Sequence, residues 1–208
     1  MRHLPLSATL LLPFALWFST TTAVAAKKTA DTKDLSRTLT LSNTELSWVG
    51  SKKVGEKHTG TLKLQSGKVE VRNQEIVGGE IVIDLNSIEV TDIPKTSEYN
   101  AKLVGHLKSP DFFETEKFPT AKFVIKSAKK LSENEYEVNG DLTIKDVTKP
   151  HSMKVKINWG EKTVTAEGST KIDRTQFGVK YGSANFFKLA ADKIINNDFE
   201  LSFKVTAE

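Results

Sequence analysis

The sequence predicts an all-β fold, an antiparallel meander of eight or nine strands interrupted by two short irregular excursions. Three observations carry that expectation. Polar and apolar residues alternate over run after run, the period of a strand with one dry face and one wet face. The segments between runs are short and rich in turn residues, which favours antiparallel neighbours. Two stretches alone depart from that period. A long meander with one apolar face must close on itself or stack as two sheets, because otherwise its edges stay unpaired.

Residues 1–25 read as a secretory signal peptide. Arg2 and His3 give a basic start, Leu10 to Phe18 form an apolar run, and Ala23-Val24-Ala25 supplies a small-residue cleavage pattern. The run is broken by Pro13 and falls short of the roughly 20 residues that span a bilayer, so cleavage is expected rather than anchoring. Residues 26–36 are polar and form a flexible lead-in, with the folded domain expected over 37–208. The leader predicts secretion into a periplasm. With 0 cysteines there is no lipobox thiol, disulfide framework or thiolate chemistry, so the core alone must hold the domain together.

The first strands are expected over Leu39–Trp48, His58–Leu64, Val69–Val71 and Glu80–Ile88, with turns at Gln65-Ser66-Gly67 and Val77-Gly78-Gly79. Ala121–Ile125 follows the first excursion. Tyr136–Ile144 alternates with Gly140 in an inward place, and Ser152–Trp159 and Thr163–Ile172 continue the pattern. Turns are expected at Ser132-Glu133-Asn134 and Trp159-Gly160-Glu161. Asp198–Val205 alternates without a fault, which puts Phe199, Leu201, Phe203 and Val205 on one face.

Thr96–Leu107 places Tyr99, Leu103, His106 and Leu107 at three- and four-residue intervals behind Ser97, a cap candidate, and predicts a short helix. Gly182–Ala191 is a second helical or looped insertion. Of the 11 phenylalanines, Phe14 and Phe18 lie in the leader. Phe112, Phe113, Phe118 and Phe123 go with the first excursion or its exit strand, and Phe177, Phe186 and Phe187 with the second. If the strands make the walls of a barrel, such excursions are where a mouth or lid is built.

Several function classes are disfavoured. Against 26 acidic residues stand 30 Lys and Arg, interspersed rather than clustered, so no nucleic-acid partner is expected. His58, His106 and His151 are scattered and share no metal-ligand spacing, so no metal is expected. His106, Ser109 and Asp111 carry the letters of a triad, but three residues this close on one loop do not align nucleophile, base and orienter. Ser109 before Pro110 is better suited to ending the helix. Gly78-Gly79 precedes no helix and is no phosphate loop. Asp173-Arg174 either fixes a strand-to-loop corner, the preferred reading, or turns an arginine toward an anionic head group. An outer-membrane barrel needs an apolar outer band, whereas Asp198, Glu200, Ser202 and Lys204 lie opposite the apolar face of the last strand.

Six motifs, in order, carry a resemblance. They are Trp48-Val49-Gly50 with His58-Thr59-Gly60; Ile83-Asp84-Leu85-Asn86-Ser87-Ile88; Gly105-His106-Leu107-Lys108-Ser109 with Asp111-Phe112-Phe113; Phe118-Pro119-Thr120-Ala121; Gly140-Asp141-Leu142-Thr143-Ile144 with Val147-Thr148-Lys149-Pro150; and Asp173-Arg174-Thr175-Gln176-Phe177-Gly178. On these the chain closely resembles the bacterial YceI-like family of polyisoprenoid-binding or lipid-binding proteins, from about Thr44 to Val205. Asp146 departs from the family's usual glycine, a change in a turn.

The resemblance implies an eight-stranded antiparallel lipocalin-like barrel with one or two short helical insertions. Its interior would be an elongated cavity for an isoprenoid chain, such as a quinone tail or prenyl phosphate. Residues expected to meet that ligand are Trp48, His58 and Ile83 on the early strands, and His106, Leu107, Phe112 and Phe113 in the first excursion. Phe123 and Leu142 on later strands, and Arg174, Phe177, Phe186 and Phe187 around the second excursion, complete the set. The expected function is non-enzymatic binding, carriage or sequestration, with no cofactor beyond the bound isoprenoid lipid or quinone. The alternatives are an enzyme acting on such a lipid through His106 or His58, and a stress-related interaction protein with a filled barrel. Expected partners are a long-chain lipid and, transiently, a membrane that the chain does not span; a homodimer stays open.

Overall fold

The computed structural model describes residues 36–208. The expected leader and nearly all of the lead-in lie outside the described residues. Eight strands follow one another: β1 (Ser36–Ser51), β2 (Lys57–Arg72), β3 (Glu75–Val90), β4 (Thr120–Lys130), β5 (Glu135–Ile144), β6 (Val147–Trp159), β7 (Val164–Asp173) and β8 (Asp198–Ala207). Each pairs antiparallel with the next, and β8 pairs back onto β1, so the sheet is a closed barrel. Closure, rather than stacking of two sheets, is how this meander removes its edges.

Alternation decides which face is inside. Along β5, burial changes residue by residue and places Tyr136, Val138, Leu142 and Ile144 in the core. The outer wall carries ion pairs between neighbouring strands, Lys126 to Asp141 at 3.0 Å, Lys122 to Glu80 at 3.4 Å and Lys156 to Glu167 at 3.7 Å. A barrel wall facing lipid needs an apolar band in these positions. No helix among the described residues is long and apolar enough to cross a membrane.

Two expected turns are not turns. His58–Leu64 and Val69–Val71 belong to one strand, β2, and Gln65-Ser66-Gly67 marks a shift in its register with β3. Gly67 is there for close approach, since a Cβ would sit 2.5 Å from Leu41 Cδ1. Val77-Gly78-Gly79 lies inside β3. The reversal between β2 and β3 is made instead by Asn73 and Gln74, at φ 51° and 65° between the paired Arg72 and Glu75. Positive φ at both central residues is what a type I′ hairpin turn requires. The count is therefore eight strands and not nine.

The first excursion joins β3 to β4 and contains α1 (Glu98–Lys108). Ser97 caps it, accepting from the Tyr99 N–H. The buried Asn100 donates through Nδ2 to the Val90 and Ile93 carbonyls at 3.1 and 2.8 Å, which ties the helix to the end of β3. Ser109 ends the helix, its N–H and hydroxyl both donating to the His106 carbonyl at 3.1 and 2.8 Å. The second excursion, between β7 and β8, opens with a 3₁₀ turn at Arg174–Phe177 and holds another at Ala191–Lys193. In a meander the β1–β2, β3–β4 and β7–β8 connections share one end of the barrel. Contacts join them there: Lys53 N–H donates to Ile194 O at 2.8 Å, and the rings of Tyr181 and His106 lie 4.6 Å apart.

Candidate functional site

The barrel is not filled by its own side chains. Two chambers lie within it and share Ile83, Leu142, Ile172 and Leu201 in their walls. The outer one, at the excursion end, has a volume of about 110 Å³ and is walled by Trp48, Leu85, Ile88 and Phe112 among others. The inner one has about 140 Å³ and includes Phe123, Val138, Met153, Trp159 and Phe203. Either is far larger than the roughly 10–15 Å³ that holds one water, but walls this apolar give water few hydrogen-bond partners. An apolar occupant suits them better.

Small residues let aromatic rings form these walls. Gly60 pairs with Trp48 across β1 and β2, and a Cβ on Gly60 would run into the indole and into the Glu89 carbonyl. Gly140, expected to point inward, lies under Phe123, whose Cζ would be 2.7 Å from a Cβ there. The Trp48 indole N–H is buried without a protein hydrogen-bond partner, whereas Trp159 Nε1 donates to the Tyr136 hydroxyl at 3.1 Å.

Polar groups at the lumen are nearly all committed. In the inner chamber His151 Nε2 and Thr170 Oγ1 are 2.8 Å apart, and burial pushes the His151 pKa down, favouring neutral imidazole. At the outer chamber Arg174 is 4% exposed. Its Nε, Nη1 and Nη2 donate to the carbonyls of Asn196, Val179 and Ile195 at 3.1, 2.8 and 3.2 Å. Burial pulls the Arg174 pKa down while Asp173 pulls it back up. For Asp173 itself burial acts upward, but hydrogen bonds from the Thr175 hydroxyl and N–H, then from Gln176, hold the carboxyl below its ordinary range. Asp173-Arg174 thus fixes a strand-to-loop corner, and the guanidinium forms part of the outer chamber while bonded to main chain.

Eight of the residues expected to meet a ligand wall the chambers. Trp48, Leu107, Phe112, Phe113 and Arg174 line the outer one, Phe123 the inner one, and Ile83 and Leu142 both. His58, His106, Phe177, Phe186 and Phe187 are not among the lining residues. His58 Nδ1 sits 2.8 Å from Asp92 Oδ2. Burial raises the Asp92 pKa, but the Thr59 N–H and His58 outweigh it and leave the carboxyl below its ordinary range. His106 Nε2 is 3.1 Å from Asp111 Oδ2, and its ring is held edge-on against Phe112 and Tyr181. With the Ser109 hydroxyl on a main-chain carbonyl, the three residues form no triad. Phe177 is packed in the barrel core, and Phe186 and Phe187 stand about half exposed on the second excursion. No group of metal-ligating side chains occurs among the described residues.

Other lining residues were within reach of the alternation. His151, Met153, Val155, Ile157 and Trp159 share one face of β6, so counting back two from Met153 points to His151. Thr170 and Ile172 follow in the same way on β7. Ile195, on an irregular segment, had no periodic signal.

A family model for the YceI-like domain matches residues 38–207. The chain belongs to the YceI-like family. Its relatives include a UPF0312 protein of Pseudomonas putida, 36% identical over 127 residues that cover 58% of this chain and 63% of that protein. Another, from Shewanella denitrificans, is 31% identical over 120 residues, 55% of this chain and 60% of that protein. The matches thus span less than two thirds of these relatives' length. Among solved structures, Burkholderia cenocepacia BcnA is similar at TM-score 0.62 and 20% identity, over 79% of this chain and 96% of that one. A polyisoprenoid-binding domain from Saccharophagus degradans, implicated in plant cell wall breakdown, is similar at TM-score 0.59 and 17% identity, over 82% and 97%. At such identities the likeness shows the YceI-like fold.

Proposed function

We propose that this YceI-like protein binds the hydrocarbon chain of a polyisoprenoid or similar long-chain lipid in its lumen, as a non-enzymatic carrier or sequestering protein of the periplasm. The observation that carries the reading is the pair of adjacent apolar chambers that have Ile83, Leu142, Ile172 and Leu201 in common in their walls. An extended hydrocarbon that passes these four side chains would occupy both. Burial of each CH₂ contributes about 0.8 kcal/mol, so ten or so give roughly 8 kcal/mol before ordering costs, near micromolar affinity. Such a chain is held without a strong polar contact, which suits a lumen whose polar groups, the Trp48 indole N–H apart, are nearly all bonded to the protein. The ligand class of the Saccharophagus degradans domain supports the same reading.

Two further observations favour carriage over catalysis. The His58–Asp92 and His106–Asp111 pairs lie outside the chamber lining, and His151 in the lumen faces a threonine rather than a carboxylate. The expected leader supports export. The test is organic extraction of full-length protein purified under mild conditions, followed by mass spectrometry. A long-chain lipid near one per barrel is expected; protein that carries none and cannot be loaded with any overturns the reading.

A further inference from the structure

The second excursion exposes large apolar side chains that its own packing holds in place. Ser183 is fully buried; its hydroxyl donates to Asn197 Oδ1 at 2.8 Å, and its carbonyl accepts from the Phe186 and Phe187 N–H groups, both at 3.1 Å. The turn is therefore anchored, yet Phe186 and Phe187 are 48% and 50% exposed, with Leu189 and Tyr181 exposed beside them. Val54, at the tip of the β1–β2 connection, is 57% exposed. That tip is joined to the same excursion, since Lys53 N–H donates to Ile194 O and Ile195 N–H to Gly182 O, both at 2.8 Å.

The charge around these side chains is one-sided. Residues 51–57 and 180–193 carry six lysines, Lys52, Lys53, Lys57, Lys180, Lys188 and Lys193, against Glu56 and Asp192. Lys180 Nζ lies 5.0 Å from the Phe186 ring centre. Aromatic side chains among lysines suit the boundary between acyl chains and anionic head groups, where rings enter the apolar layer and ammonium groups remain at the phosphates.

We infer that the Phe186-Phe187 turn and the neighbouring β1–β2 tip form a docking face for an anionic lipid bilayer. The excess of four positive charges opposes self-pairing of this face across a two-fold axis and favours a negative partner. The face also adjoins the lumen. The Tyr181 ring packs on Phe112 at 5.6 Å, and Phe112 walls the outer chamber. Docking would bring the barrel mouth against the membrane. This goes beyond cargo binding, since the side chains that would meet the bilayer are on the exterior.

The test is co-flotation of full-length protein with phosphatidylcholine vesicles, with and without phosphatidylglycerol. Binding to the anionic vesicles that weakens with salt is expected. Phe186→Ser/Phe187→Ser should weaken it roughly tenfold or more, and Lys180→Gln/Lys188→Gln by about fivefold per lysine. All four positions are on the exterior, and near-ultraviolet circular dichroism confirms an unchanged fold. Absent anionic-vesicle binding, or binding unchanged in both variants, overturns the docking face. Concentration-dependent dimerisation abolished by the phenylalanine variant, with no vesicle binding, overturns it in favour of a second copy. Lipid extracted from the same preparations separates the two proposals: cargo without vesicle binding removes docking alone, and vesicle binding without cargo removes the carrier reading alone.

Discussion

His151 Nε2 and Thr170 Oγ1 stand 2.8 Å apart on the wall of the inner chamber, a polar pair in an otherwise almost wholly apolar lumen. Burial holds the imidazole below its ordinary pKa, so the folded barrel resists a proton that the unfolded chain accepts near the usual value of about 6.5. The unfolded state then binds more protons, and stability falls as pH drops through that value. We predict a fall in Tm from about pH 7 to pH 5, and a flatter profile in His151→Gln. Asp92 and Asp173, also held below their ordinary pKa values, lose their contributions only below about pH 4, a separate window. Thermal melts of both proteins across this range check the assignment; an unchanged slope in His151→Gln would remove His151 as its source.

Arg174 joins three main-chain carbonyls from both sides of the second excursion through one planar fork. Arg174→Met keeps much of the apolar stem but leaves the Val179, Ile195 and Asn196 carbonyls without their donor. Leaving a buried acceptor unpaired costs about 1–3 kcal/mol each, with relaxation recovering part, so a loss of about 3 kcal/mol is expected in urea denaturation. Arg174→Lys preserves the charge but not the fork, and should lose most of the same stability. Full stability in Arg174→Lys would show that charge alone holds the corner.

The barrel was legible because its inward residues repeat every second position, as in Tyr136, Val138, Gly140, Leu142 and Ile144. Where glycine entered, the reading split. Gly67 and Gly79 looked like turns, yet both lie within strands, where a Cβ would come within 2.5 Å of Leu41 Cδ1 and of the Lys68 carbonyl respectively. The real turn at Asn73-Gln74 carries no glycine, so the sequence holds no strong turn signal there. The same ambiguity affects aromatics: pattern cannot tell Phe112, which walls a chamber, from Phe186, which faces outward, because both sit in irregular segments where neither period applies.

Gln74 takes φ 65° in that turn, a left-handed conformation that a side chain with a Cβ disfavours by about 1–2 kcal/mol. Asn73, at φ 51°, tolerates it better. Gln74→Gly creates the Asn-Gly pair preferred in type I′ turns. We expect it to stabilise the barrel by about 0.5–1 kcal/mol, since added flexibility of the unfolded chain offsets part of the relieved strain. A raised urea midpoint at an unchanged slope is the supporting result, and a lowered midpoint would mean that Gln74 makes a stabilising contact of its own.

Leu142 belongs to the walls of both chambers and is 7% exposed, so a larger side chain there is placed to limit how far a hydrocarbon chain extends from one chamber into the other. Leu142→Trp should block that passage, at an overpacking cost of about 1–3 kcal/mol, while the near-isosteric Leu142→Met leaves it open. A homologous series of chain lengths distinguishes blockage from general damage. In the native protein and in Leu142→Met, binding strengthens by about 0.8 kcal/mol per added CH₂ until both chambers are filled. In Leu142→Trp the short chains, which need the outer chamber alone, should bind nearly as well, but the gain should stop at a shorter length. A parallel loss at every chain length, short ones included, would show that the two chambers do not act in series.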